Sequence, residues 1–222
     1  MSVTMWGLEV VGLRVERSGR SIVVVDHLGV AAGELAVVVA PAGTGKTSLA
    51  SALAGVIPAA GEVRVWGRPC VGAASMRRRA GLAVALQDGT RLGGCTVAEA
   101  LSLAAGHVRD PVLVFDVLPR LRARASVAVE RLSGGELQLL RLGCAWLASP
   151  GALILDSPTV GLAADAADAV IALTRREMAR GASVLWLDQP DALLPATPRL
   201  TIADGRLRDL AGLQTASSRP TD

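Results

Sequence analysis

Residues 37–49 read VVVAPAGTGKTSL, and this stretch constrains the architecture more than any other. A short apolar, β-branched run breaks at Pro41, passes through Gly43, Thr44 and Gly45, and becomes helix-compatible near Lys46. In that order these are a buried strand, a tight turn and a helix N-terminus, which places the chain among α/β folds. Such a turn suits phosphate. Glycines let successive backbone N–H groups converge on an anion, and the helix N-terminus adds unpaired donors and partial positive charge. Lys46 reaches the outer phosphates, and Thr47 supplies the hydroxyl that a magnesium ion bridging them needs.

The pattern is G-x-x-x-x-G-K-[ST] over Ala40, Pro41, Ala42, Gly43, Thr44, Gly45, Lys46 and Thr47, with Ala40 in place of the first glycine. A methyl group is tolerated there if the backbone stays at negative φ. Composition adds one argument, because Lys46 is the only lysine in a chain otherwise served by arginine. A compact ammonium fits between phosphates where a planar fork does not.

At 222 residues, 51% of them apolar, the chain is long enough for a full core in one large domain or two small ones. No apolar run approaches the roughly 20 residues that span a bilayer. The N-terminus, MSVTMWGLEVVG, lacks the basic start and cleavage site of a secretory signal, so a cytosolic protein is expected. Cys70, Cys95 and Cys144 fall at no metal-ligand spacing and read as reduced, buried small hydrophobes. A net charge of +3, one Phe and no Tyr give no support to nucleic-acid binding. Arg77, Arg78 and Arg79, the densest basic cluster, read as a solvated helix face.

Strands are expected at 8–15 and 22–28, joined by a turn at Ser18-Gly19-Arg20, and again at 61–66 and 81–86. Helices are expected at 46–55 and around 74–79. From Gln87 to Arg131 the pattern turns helical: Thr96 and Glu99 form a capping box, Pro111 opens a further stretch and Pro119 breaks it. The segment 88–131 reads as a small helical subdomain within a single unit, and its 120–131 end as a basic amphipathic stretch, either a solvated helix face or a partner surface. The tail from about Leu210 reads as loose.

Leu132-Ser133-Gly134-Gly135-Glu136 is a second glycine loop opening a helix, with Ser133 as its cap and backbone donors left open to an anion. Two phosphate sites for one nucleotide suggest use in trans, across a dimer. The run 152–156, ALILD, is a buried strand ending in Asp156, where a magnesium-holding aspartate sits in a nucleotide-binding sheet. An amphipathic helix over 165–180 and a strand over 183–188, SVLWLD, ending at Gln189, complete the pattern.

Taken together, APAGTGKT, Gln87, LSGGE and ALILDSPT, in this order and spacing, resemble the ATP-binding subunit of ABC transporters over about residues 6–209. The resemblance implies a P-loop fold of ABC type, a mixed sheet core with an antiparallel β subdomain and a small helical subdomain. It implies ATP and magnesium as ligands, with Thr47, Gln87 and Asp156 around the metal. It also implies that Ser133, Gly134, Gly135 and Glu136 face a nucleotide on a second ATPase subunit, identical or different. The implied partners are integral-membrane permease subunits, and the implied place is peripheral, on the inner face of the membrane. Residues 118–143, 157–163 and 184–190 look closest to an ATPase of branched-chain amino acid importers, so Ala163 and Gln189, the latter in place of histidine, read as habits of that group. Arg17 falls where the family stacks an aromatic ring on adenine, and a guanidinium plane stacks with weaker grip.

Ser157 departs further, because the family has glutamate there as the base that polarises the attacking water. A serine hydroxyl orients a water but does not take its proton at neutral pH. From Leu137 to Ala164 the only carboxylate is Asp156, so no neighbour in sequence deputises. The expectation is a subunit that binds ATP, hydrolyses it poorly at its own site and completes a partner's site with LSGGE. The alternatives are a non-hydrolysing regulatory half and, further off, a non-transport ABC protein.

Overall fold

Two strands, β1 (Trp6–Arg17) and β2 (Arg20–Ala31), open the chain as an antiparallel hairpin whose turn holds Ser18 and Gly19 at positive φ. Both run further than their apolar cores, because the polar ends Glu16, Arg17, Arg20 and Ser21 stay paired across the ribbon. The computed structural model describes residues 6–87, 93–106, 108–148, 150–192, 196 and 199–210. The tail from 211 and the start of the expected helical subdomain at 88–92 lie outside them.

The strand before the glycine loop is β3 (Leu35–Val39), and the loop leads into α1 (Lys46–Leu53). After β4 (Ala60–Val65), the short β5 (Arg68–Pro69) and α2 (Ala74–Arg79) comes β6 (Leu82–Ala85). The helical stretch contains α3 (Val97–Ala105) and α4 (Leu113–Val117), followed by α5 (Gly134–Leu147). The chain then alternates through β7 (Ala152–Asp156), α6 (Ala164–Ala179) and β8 (Ser183–Asp188), and closes with the hairpin β9 (Leu200–Ala203) and β10 (Arg206–Asp209).

Among the described residues the ten strands join one sheet in the order β5-β4-β1-β2-β10-β9-β3-β8-β7-β6. The half from β9 through β3, β8 and β7 to β6 is parallel, and the β1, β2, β4 and β5 end is antiparallel. Alternation along the parallel strands fills two cores. Val37, Val39, Leu153, Leu155, Val184 and Trp186 pack with the helices α3, α5 and α6. Val38, Ile154, Leu185 and Leu187 pack with α1 and the inner face of the β1–β2 hairpin. Strands covered on both faces read as continuous apolar runs, and for that reason ALILD and SVLWLD stand out in the sequence.

Two expectations are corrected. Arg78 and Arg79 lie exposed as expected, but Arg77 is half-buried: it donates to the carbonyls of Ala52 and Leu53 at 2.9 and 2.8 Å, closing the C-terminal end of α1, and Arg78 bonds the Ala104 carbonyl in α3. Nor is 120–131 one helix. It divides into the 3-10 turns Pro119–Arg124 and Val129–Arg131, because the link between them pairs with the start of α3 through Val97 N–H to Val127 O and Val129 N–H to Cys95 O. Three of its four arginines make ion pairs, Arg120 with Asp165, Arg122 with Asp116 and Arg124 with Glu136.

The helical stretch is fastened to the core by a buried polar cluster. Glu177 on α6 accepts from Arg109, Arg180 and the Trp146 indole N–H, and Arg109 also donates to the Trp146 carbonyl. Among the described residues no helix is long and apolar enough to cross a membrane.

Candidate nucleotide site

The carboxyl edge of the parallel strands β3, β7 and β8 gathers the candidate residues. At the end of β3, Ala40 stays outside the left-handed region and its N–H donates to the Asp188 carbonyl at 3.1 Å. The loop's first position continues the sheet, so a methyl there meets no backbone penalty. Gly43 and Gly45 do need their lack of a side chain, with φ of 80° and 105°. A Cβ on Gly45 would also lie 3.2 Å from the Ile22 Cγ2 on β2. Thr44 Oγ1 donates to the Pro41 carbonyl at 2.8 Å, tightening the turn. Pro41, Ala42 and Gly43 lie exposed around it, as does Thr47 in the first turn of α1.

Lys46 is buried at the mouth of the loop, its Nζ donating to the Ala40 and Pro41 carbonyls at 2.5 and 2.8 Å. Burial lowers its pKa, and the carboxylates of Asp156 and Asp188 act against that fall. Both carboxylates are fully buried, one at the end of β7 and the other at the end of β8. Asp188 Oδ1 accepts the Gln189 N–H at 2.9 Å, and Oδ2 accepts the Trp186 Nε1 at 3.1 Å and the Thr159 hydroxyl at 3.4 Å. Burial pushes the Asp188 carboxyl up, against the pull of those three donors and of Lys46.

Ser157 follows Asp156 at φ 49°, a left-handed conformation that non-glycine residues rarely hold. Its N–H donates to the Leu187 carbonyl at 2.8 Å, and its own carbonyl accepts from Gln138 of α5 at 3.3 Å. Gln87, just past β6, is tied to α5 through its carbonyl, which accepts from Arg141. Gln189 lines a shallow cleft with Thr159, Gly161 and Asp191. Arg17 ends β1 opposite Arg20, at the hairpin end whose Ile22 touches the loop at Gly45. Thr47, Asp156 and Gln87 offer hydroxyl, carboxylate and amide oxygens, hard donors of the kind magnesium takes, and two buried carboxylates against one lysine leave room for a further cation.

The second glycine loop lies apart. Ser133 and Glu136 form a reciprocal cap at the start of α5, with the Glu136 N–H to Ser133 Oγ at 3.3 Å and the Ser133 N–H to Glu136 Oε2 at 2.9 Å. Arg124 pairs with the other Glu136 oxygen at 2.6 Å and, with Ser133, holds that carboxyl at about 2. A Cβ on Gly134 would meet nothing within 4 Å, so the backbone beside it is open. This loop borders a cleft with Arg120, Gly161 and Ala163, and no glycine-loop residue of the first site lines it.

The reading from sequence passed over Asp188, although its signal, a carboxylate at the carboxyl end of a buried strand, is the one that marked Asp156. Gln138 and Thr159 carried no signal of their own.

The family model described as ABC transporter matches residues 25–160. The ribose import ATP-binding protein RbsA 1 of Rubrobacter xylanophilus is 34% identical over 88% of this chain and 44% of its own length. The high-affinity branched-chain amino acid transport ATP-binding protein BraG of Pseudomonas aeruginosa is 29% identical, covering 79% of each chain. A solved structure described as the ATP binding subunit of an ABC transporter superposes with a TM-score of 0.77 at 23% identity, covering 95% of this chain and 92% of that one. The chain spans about half the length of the first curated relatives it matches.

Proposed function

Because the chain belongs to the ABC transporter family of ATP-binding domains, we propose that it is the ATP-binding subunit of an ABC transporter, coupling ATP binding and hydrolysis to solute movement through membrane partners. The observation that carries this is Lys46, buried in a glycine loop and facing the strand-end carboxylates Asp156 and Asp188. Such a loop cradles the phosphates with backbone N–H groups while the ammonium neutralises their charge. Thr47, Asp156 and Gln87 would hold magnesium, which would supply further charge neutralisation to the bound nucleotide. Arg17, at the adjacent hairpin end, offers its plane to the base.

The Ser133 to Glu136 loop, open at Gly134 and bordering a different cleft, serves the nucleotide of a second ATPase subunit. That subunit is either a copy of this chain or a relative. Permease subunits supply the path through the membrane and hold this chain against its inner face. With Ser157 where a glutamate would be, this chain's own site turns over more slowly than one that has that base.

Calorimetry tests the nucleotide reading. Lys46→Ala weakens binding of ATP with magnesium at least tenfold, and equal affinity of the two forms refutes the site. Purification from native membranes tests the assembly, and recovery without permease or second ATPase subunits refutes the partners.

A further inference from the structure

The carboxylate absent from position 157 has a counterpart one strand away. β7 and β8 run parallel with Leu155 beside Trp186 and Asp156 beside Leu187. The Ser157 N–H continues the ladder to the Leu187 carbonyl at 2.8 Å, so the next step brings position 157 beside Asp188. Both residues thus leave the sheet side by side at its carboxyl edge. Asp188 is also oriented on both oxygens, by the Gln189 amide, the Trp186 indole and the Thr159 hydroxyl, three donors against the roughly four lone-pair sites of a carboxylate. Thr159 belongs to the loop that follows Ser157, so this bond ties the two strand ends together. From α1 the cation that faces Asp188 is Lys46, which also faces Asp156 on β7.

We propose that Asp188 is the general base for ATP hydrolysis at this chain's own site, acting from β8 as a glutamate at position 157 would act from β7. The proposal rests on the reading of this edge as an ATP site. A water oxygen bonds to the γ-phosphorus, and its proton passes to an Asp188 carboxylate oxygen. The bond from that phosphorus to the bridging oxygen breaks, ADP leaves with the electron pair, and Asp188 releases the proton to solvent. Water and ATP are the only reactants. Burial raises the proton affinity of Asp188, which favours a base, and the shorter side chain fits a turnover slower than that of a glutamate site.

The test uses the full chain in complex with the subunits that co-purify with it. An azido-ATP labelled at the α- or the γ-phosphate is crosslinked to this chain in the presence of magnesium. The ratio of γ- to α-label on its band reads the unhydrolysed nucleotide, and calorimetry reads ATP affinity separately. The wild type loses γ-label. Asp188→Asn loses it about 10²–10⁴-fold more slowly, the share of one general base, while binding ATP within about threefold of the wild type. Ser157→Glu in the Asp188→Asn background restores the loss.

Ser157→Glu alone, which leaves Asp188 untouched, speeds the loss less than about tenfold because a base is already present; a gain of 10² or more overturns the proposal. So does an Asp188→Asn chain that hydrolyses within twofold of the wild type, or a wild type that keeps its γ-label. An Asp188→Asn chain whose ATP affinity falls in step with turnover also overturns it, because Asp188 would then only hold Lys46. A wild type that binds no ATP at all refutes the underlying site instead.

Discussion

Replacing Glu177 with Ala tests what holds the helical stretch to the sheet. The Glu177 side chain is 1% exposed and that of Arg109 is 11%. The carboxylate accepts from Arg109 Nη1 and Nη2 at 3.2 and 2.9 Å, from Trp146 Nε1 at 2.8 Å and from Arg180 Nη1 at 3.0 Å. The Arg109 guanidinium also lies 4.7 Å from the Trp146 ring centre. Truncation leaves a guanidinium and an indole N–H buried without that acceptor. Removing one partner of a buried pair is worth about 3–5 kcal/mol. At about 2–4 °C per kcal/mol for a domain of this size, the melting temperature falls by about 6–20 °C. Thermal melts followed by near-UV circular dichroism read the shift. The exposed Arg122–Asp116 pair is the internal control, because Arg122→Ala changes stability by at most about 1 kcal/mol. The double change Arg109→Met with Glu177→Met recovers part of the loss, since apolar groups of similar volume often replace a buried pair without penalty. A Glu177→Ala shift as small as that of Arg122→Ala refutes the reasoning.

The other predictions concern the second glycine loop and the end of β7. Ser133→Arg crowds the open backbone at Gly134 and abolishes ATP turnover at the partner's site, while ATP binding by this chain in calorimetry stays as it was. The Glu136 carboxyl, held at about 2 chiefly by its bond to Arg124 and next by Ser133, lies below an unfolded value of about 4.3, so its stabilisation is complete above that pH and fades as pH falls toward 2. The stability difference between the wild type and Glu136→Gln in urea titrations therefore closes over that window, and a difference constant down to pH 2 counts against the cap. Ser157→Gly removes a left-handed strain of about 1–2 kcal/mol and adds about 0.5–1 kcal/mol of unfolded-state freedom, so it raises stability by up to about 1.5 kcal/mol in urea titrations.

What could be read from the sequence was what lies contiguous in it. VVVAPAGTGKT carries strand, turn and helix start in one short run, and its geometry at Gly43 and Gly45 follows from the backbone demands of that turn. Strands buried on both faces announce themselves as apolar runs, which is why β7 and β8 fall on the residues expected. The Thr96 and Glu99 capping box is equally local. The Glu177 cluster is different in kind, because its members come from residues 109, 146, 177 and 180 and each looks ordinary where it stands in the sequence. The 120–131 segment misled for a similar reason: its composition suits a helix, but pairing with Cys95 and Val97, far back in the chain, draws its middle into an extended link. Arg77 resembled a surface charge until the end of α1 supplied carbonyls for it to close.

The strand register also gives a physical reason for Ser157. The edge holds two buried carboxylates, Asp156 and Asp188, against the one ammonium of Lys46. A glutamate at 157, a buried position next to Asp188 in the ladder, would add a third carboxylate at this edge, and neighbouring buried carboxylates disfavour each other's charged form. Asp188 therefore makes a glutamate at 157 unfavourable, and Ser157 makes an aspartate at 188 tolerable. On this account the two positions are coupled. Ser157→Glu destabilises the wild type more than it destabilises Asp188→Asn, in which the number of carboxylates is back to two, and urea titrations of the four forms measure the difference directly. Equal effects in the two backgrounds would mean that the carboxylates do not sense one another, and the charge explanation of Ser157 would fall.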